Sequence, residues 1–300
     1  MEKGIEQKYI DEFKIYLFES DSSQGTIATY INGVYGFFSW INKEYLNNIK
    51  FDSVTASDIH EYKDYIIHVK NLKANTVNNK LAALKSFFNF LYDKKHIDKN
   101  PAQDIKKIKI HTHQTGATIT DLDLKRLKRE VITGGNPLHQ MIVFTLAFTG
   151  VRVSELIKLK LTDIIIKENR KDSFLIVNYG KGGKYREIPL NPKVIDIYYE
   201  WMEERERKNI QSPYLIVTER SHNACACRSS INKVVKKYSK KIEKVDIHPH
   251  TFRKYFLRKI LEVSDISTAQ LLAGHSSIQT TSLYTTSNFN SMASAVEKLE

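Results

Sequence analysis

The chain has 300 residues, 41% of them hydrophobic and 27% charged, which suits two globular domains with cores of their own and excludes wholesale disorder or a low-complexity polymer. Lys and Arg number 46 against 34 Asp and Glu, a net charge of +12, so attraction to a polyanion is expected, nucleic acid first. The longest apolar stretch, 141–151, is too short to cross a bilayer and contains Thr145 and Thr149.

The first residues carry mixed charge without an apolar core, so no secretory leader is expected. The two cysteines, Cys225 and Cys227, stand one residue apart, which rules out a disulfide framework and fits a reducing compartment. A cytoplasmic protein with no membrane association is the expectation.

In chain order, the period of the apolar residues predicts a helix over 2–19, with Ile10, Phe13 and Leu17 on one face, and a second over 26–41 carrying Val34, Phe37 and Phe38. A third is expected over 58–69 with Ser57 as its N-cap, and a fourth over 74–91 striped by Val77, Leu81, Leu84, Phe87 and Leu91. These make a small bundle over residues 1–104. Residues 105–120 lack helical periodicity and read as an extended linker.

Residues 121–300 form the expected second domain. Helices are predicted over 121–130 and 138–148. β-rich runs at 164–166, 174–177 and 185–189, separated by the turn-forming stretches 168–172 and 180–183, predict a small antiparallel sheet. Helices follow over 194–207, 230–241, 251–262, 266–273 and 278–284, with a short strand candidate at 214–217. The fold class is therefore mainly α with a small antiparallel β-sheet, a helical bundle followed by an α+β domain.

Five segments of the second domain share a vocabulary for handling anions: Thr149-Gly150-Val151-Arg152 with Glu155, Gly180-Lys181 with Lys184, His250 with Arg253, Gly274-His275, and Thr281-Ser282-Leu283-Tyr284. Each alone has a bland reading. Arg152 and Glu155 have the spacing of an ordinary surface pair on a helix, the 180–183 run suits a plain hairpin turn, and His275 suits a helix C-cap. Tyr284 is one of 16 tyrosines, most of which serve as packing. His248 competes with His250 by proximity, and the three-residue step to Arg253 favours His250, because that step places both on one helix face.

In this order, over half the chain and behind a helical domain, these segments resemble the tyrosine recombinases, or phage integrase family. The resemblance is nearest to the simple Xer-like members, since the chain enters the helical bundle at once. It implies a site-specific DNA recombinase in which Arg152 and Arg253 clamp the scissile phosphate, with His250 and His275 beside them. Tyr284 is the nucleophile that forms a 3'-phosphotyrosyl link, Lys181 the general acid with Lys184 its local rival, and Glu155 a supporting carboxylate.

The chemistry fits the residue types. Planar guanidinium groups pair with two non-bridging phosphate oxygens, and a phenol with an ordinary pKa near 10 needs cations or a proton acceptor to attack at neutral pH. The family reaction requires no metal and no cofactor. Double-stranded DNA with a specific site is the implied partner, with four protomers on paired sites, a monomer without DNA, an accessory protein in some systems, and residues 288–300 docking on a neighbouring subunit.

Lys233, Lys236, Lys237, Lys240, Lys241 and Lys244 form a basic stripe suited to phosphates or simply to solvent, Lys233, Lys237 and Lys241 being the candidates for DNA contact. By resemblance, Thr26, Thr29, Asn75, Asn78, Asn79, Lys80 and Lys85 of the first domain face the duplex. His222, Cys225 and Cys227 lack a fourth ligand at zinc spacing, so free thiols are expected. Two departures from Xer-like members stand out: Lys254 occupies a place usually held by histidine, and Ala273 one usually held by leucine. The alternatives are DNA relaxation of the type IB topoisomerase kind and a silent DNA-binding protein of the same fold.

Overall fold

The structure is a computed structural model that describes residues 3–20, 22–44, 51–109, 118–178, 185–218, 225–244 and 246–274. Contacts divide the chain into two compact units, Met1–Gln114 and Thr115–Glu300.

In the first unit, helices α1 (Lys3–Glu19), α2 (Gln24–Glu44), α3 (Ala56–Asp64) and α4 (Ala74–Asp93) pack around one apolar core. The predicted stripes are the buried faces: Phe13 of α1, Val34 and Phe37 of α2, and Leu81 and Leu84 of α4 are all essentially inaccessible. Aromatic edges interlock there, Phe87 meeting Phe13 at 5.2 Å between centroids and Phe38 at 5.8 Å, both near perpendicular. Gly33 lets α2 lie directly on α4, since a Cβ there would sit 2.7 Å from that of Ala83.

The third helix begins earlier than its predicted cap. Thr55, not Ser57, is the N-cap, accepting from the Asp58 N–H while Asp58 accepts from the Thr55 N–H. A π-helical turn, Tyr65–Val69, continues it. Past α4 the chain stays on the bundle: Ile105 and Ile108 pack against its core, and the Asn78 side chain both donates to the Ile108 carbonyl at 3.0 Å and accepts from its N–H at 2.8 Å.

The second unit opens with α5 (Asp121–Thr133), capped by a Thr120–Asp123 box, and α6 (Pro137–Thr149), capped by Asn136 with proline at its first turn. The short α7 (Val153–Lys158) follows, then the antiparallel strands β1 (Ile164–Ile165), β2 (Phe174–Val177) and β3 (Arg186–Pro189), paired in the order β1-β2-β3 with Leu175 opposite Ile188. Helices α8 (Pro192–Arg207), α9 (Arg228–Lys241), α10 (Pro249–Val263) and α11 (Ile266–Ala273) complete the described part.

The strand candidate at 214–217 is reduced to a single bridge, Lys160 opposite Tyr214, flanked by hydrogen bonds from Leu161 N–H to the Pro213 carbonyl and Leu215 N–H to the Leu159 carbonyl. Three helices start two residues before their predicted positions because the caps Asn191, Cys227 and His248 lie further upstream. The helix predicted over 278–284 lies outside the described residues. Among the described residues no helix is long and apolar enough to cross a membrane.

Candidate active site

The site begins where α6 stops. Gly150 ends α6 in the left-handed conformation, φ 60°, and a Cβ there would lie 2.3 Å from the Phe256 ring of α10, so the position needs glycine on both counts. The chain then turns so that Arg152 stands at the start of α7. Its guanidinium donates to Glu155 at 2.9 Å while its backbone N–H donates to the other carboxylate oxygen at 2.7 Å.

Glu155 is buried, and a second arginine reaches it. Arg186, the first residue of β3, donates through both terminal nitrogens, at 3.2 and 2.8 Å, and through Nε to the Leu272 carbonyl at 2.9 Å. Burial alone raises a carboxyl pKa, but here the hydrogen bonds and charge of Arg186, with help from Arg152, outweigh it and hold Glu155 below the ordinary carboxylate range. The carboxylate is therefore ionised in the folded protein and fixes two guanidinium planes.

Arg253, on the second turn of α10, is 2% exposed. It donates to the Gly150 carbonyl at 2.7 Å and to the Ala273 carbonyl at 2.5 Å. The last carbonyls of α11 thus meet two buried arginines, Arg186 at Leu272 and Arg253 at Ala273. Cations at a helix C-terminus satisfy orphan acceptors and oppose the negative end of the helix dipole.

Arg152, His250 and Arg253 line one pocket of about 490 Å³ with His248 and, from the first turns of α9, Arg228 and Asn232. His250 stands at the second position of α10. Burial of its ring, then the nearby charges of Lys254, Arg253, His248 and Arg152, push its pKa below the ordinary histidine value. It is neutral at neutral pH and so able to accept a proton.

The predicted constellation is thus brought together where it is described: Arg152, Glu155, His250 and Arg253 meet. Lys181, Lys184, His275 and Tyr284 lie outside the described residues. Lys254, the departure beside Arg253, is one of the charges acting on His250.

The basic residues divide. Lys233 and Lys237 are exposed, whereas Lys241 pairs with Glu130 of α5 at 3.3 Å. Lys80 leans on α2, its ammonium 3.2 Å from where a Gly36 Cβ would stand, and Lys85 donates to the Gln103 carbonyl at 2.9 Å. Asn78 spends its amide on residue 108, a structural duty. Cys225 is half-buried and Cys227 is exposed at the start of α9, and among the described residues no cluster of His, Cys, Asp or Glu is arranged to hold a metal.

Sequence reasoning missed two arginines. Arg186 carried a signal: it alternates with Ile188 on β3 and so points to the same buried side. A charged residue at an inward strand position needs a partner, and Glu155 is that partner. Arg228 carried only its place in the first turn of a basic helix.

The comparisons with known proteins agree with this geometry. Residues 117–291 match the phage integrase family and residues 10–95 match the phage integrase N-terminal SAM-like domain. The chain belongs to the phage integrase family. It is 30% identical over 292 residues to the TnP I resolvase of Bacillus thuringiensis, covering 96% of this chain and 98% of that one. It is also 30% identical over 301 residues to tyrosine recombinase XerA of Pyrococcus furiosus, covering 99% and 96%.

Among solved structures, the XerH site-specific recombinase bound to difH substrate in a pre-cleavage complex aligns with a TM-score of 0.72 at 20% identity, over 93% of this chain and 81% of that one. The Tn1549 transposon integrase in complex with transposon right end DNA gives 0.70 at 21% identity, over 97% and 99%. These likenesses show the fold, and the family read from the motifs, with its mainly helical architecture and small antiparallel sheet, is borne out.

Proposed function

We propose that this protein is a site-specific DNA recombinase that cuts and rejoins strands through a phosphotyrosine at Tyr284. The observation that carries the reading is the convergence of Arg152, His250 and Arg253 on one pocket, with the buried Glu155–Arg186 pair behind it. Two guanidinium groups and a neutral histidine form a receptor for a phosphodiester whose charge grows in the transition state.

The Tyr284 phenol gives its proton to neutral His250 as its oxygen attacks phosphorus, the bond to the 5'-oxygen breaks, and the leaving oxygen takes a proton from Lys181. The 3'-phosphotyrosyl link is later attacked by the 5'-hydroxyl of another strand, which expels Tyr284. Each step exchanges one phosphodiester for another, so no outside energy source is consumed. His275 supports the phosphate or the leaving group. Residues 1–104 and 121–300 act as two DNA-gripping domains joined through 105–120, with Lys184, Lys233 and Lys237 adding salt-dependent affinity. Four protomers pair two sites.

The test uses a pool of randomised duplexes, each nicked so that cleavage traps the enzyme on the DNA. Wild-type protein is expected to give a covalent adduct resistant to denaturing electrophoresis and to enrich one sequence, and Tyr284→Phe none. Arg152→Lys is expected to bind the enriched duplex yet cleave about a hundredfold more slowly, because an ammonium lacks the guanidinium fork. Binding by the wild type without adduct overturns the reading in favour of a silent DNA-binding protein. Relaxation of supercoiled plasmid without paired sites marks topoisomerase activity.

A further inference from the structure

The pocket holds a second histidine to which the reaction above gives no part. His248 is the N-cap of α10, and its cap fixes which ring nitrogen carries a proton. The Thr251 hydroxyl oxygen accepts from the His248 backbone N–H at 2.9 Å, and the same hydroxyl lies 2.9 Å from His248 Nδ1. The Thr251 N–H also donates to Nδ1, at 3.3 Å.

Nδ1 therefore serves as an acceptor in the neutral ring, which places the proton on Nε2. In the protonated ring Nε2 carries a proton as well. Nε2–H is thus a donor for as long as the cap holds, and among the described residues no hydrogen bond reaches it. The ring lies 6.4 Å from that of His250, the two planes 28° apart, on the wall of the pocket lined by Arg152 and Arg253.

Resting on the recombinase reading, we infer that His248 is a further phosphate-contacting residue, donating through Nε2–H to a non-bridging oxygen of the DNA phosphate bound in this pocket. Serine, threonine or asparagine fills an N-cap at least as well as histidine, so capping alone does not call for an imidazole. The imidazole adds a donor to a residue that lines the pocket. Its neighbour His250, kept neutral by partial burial and then by the surrounding cations, is left free for proton transfer while His248 adds to the anion clamp.

The test substitutes a residue that keeps the cap and removes the donor, His248→Thr. On the enriched nicked duplex, single-turnover cleavage is expected to slow about tenfold, the scale of one hydrogen bond to a charged acceptor, with the thermal midpoint unchanged. On a duplex whose scissile phosphate is replaced by methylphosphonate, the difference between wild type and His248→Thr is expected to disappear for the diastereomer lacking the contacted oxygen. Equal cleavage by the two proteins on ordinary DNA, or a penalty that survives in both diastereomers, overturns the inference.

A second measurement does not depend on cleavage or on the variant's folding. Long-range proton–nitrogen NMR of the wild-type imidazoles is expected to show His248 protonated at Nε2 and shifted by added inorganic phosphate. A proton on Nδ1 of the neutral ring, or no response to phosphate, overturns it. Absence of any adduct with wild-type protein sinks the recombinase reading instead, and the phosphate titration still decides whether His248 binds the anion.

Discussion

The two units bury different things. Among the described residues of the first, the charged residue out of solvent is Asp58, half of a capping box, and the core is aliphatic and aromatic. The second has such capping carboxylates too, Asp123 and Asp163, and besides them buries Glu155, Arg186, Arg205 and Arg253. A buried ion is costly unless fully paired; Arg253 lines the pocket, and Glu155, held by Arg186, braces the Arg152 that lines it too. Arg205 serves as the internal control: it donates to the Ser212 and Tyr214 carbonyls and lies over Trp201, far from the constellation in its duties, and ties one loop down. The lesson is that a bundle can be stabilised by shape alone, whereas a phosphate receptor must hold cations rigidly before the anion arrives, at a cost met by carboxylate and carbonyl partners.

That contrast can be broken or sharpened by experiment. The largest effect is expected from Glu155→Ala, which leaves Arg186 buried without its carboxylate: a loss of about 4 kcal/mol, confined to the second unit in hydrogen exchange read helix by helix, with cleavage abolished. An unaffected second unit would show that the Arg186 charge is compensated elsewhere. Leu84→Ala, deep in the first core and inaccessible, is expected to cost about 3 kcal/mol in the first unit alone. Equal loss of protection in both units would mean that they unfold as one.

Gly150→Ala is expected to cost about 2 kcal/mol, from the left-handed backbone and the clash with Phe256, and to slow cleavage because the Gly150 carbonyl that holds Arg253 moves. Wild-type rates from that variant would separate Arg253 placement from this turn.

The smallest effect concerns pH. His250 and His139 both have pKa values lowered by burial first, then by neighbouring cations. The folded state therefore binds fewer protons than the unfolded one between those lowered values and the ordinary 6.5, and stability falls as pH drops below that point. Glu155, also lowered, acts further down: its contribution is full above the ordinary carboxylate value and is lost as pH falls through the lowered one. Denaturant midpoints from pH 7.5 to 5 are expected to decline in the second unit, with a shallower slope in His250→Asn. An unchanged slope removes His250 from the acid response.

Much of the site was legible in the residues. Arg152, Glu155, His250 and Arg253 were picked out by type, spacing and order; Arg152, His250 and Arg253 line one pocket, and Glu155 holds Arg152. Arg186 was not, because its role depends on a strand and a helix distant in the chain converging on one carboxylate. His248 was seen and set aside, since spacing along a helix ranks His250 higher and cannot reveal which way a capping ring faces. Asn78 and Lys85 were read as duplex-facing by family resemblance; their hydrogen bonds to residues 108 and 103 depend on the tertiary fold and were not legible.

The sequence by itself determined the family, the helical stripes and the antiparallel sheet, because periodicity and motif order are local or strictly ordered along the chain. Tertiary structure alone decided which cations are buried and what holds them. Glu155 with Arg186, and the α11 carbonyls with Arg186 and Arg253, are partnerships across tens of residues. Hydrogen bonds in a dry interior depend on where side chains finish in space, and sequence spacing carries no record of that distance.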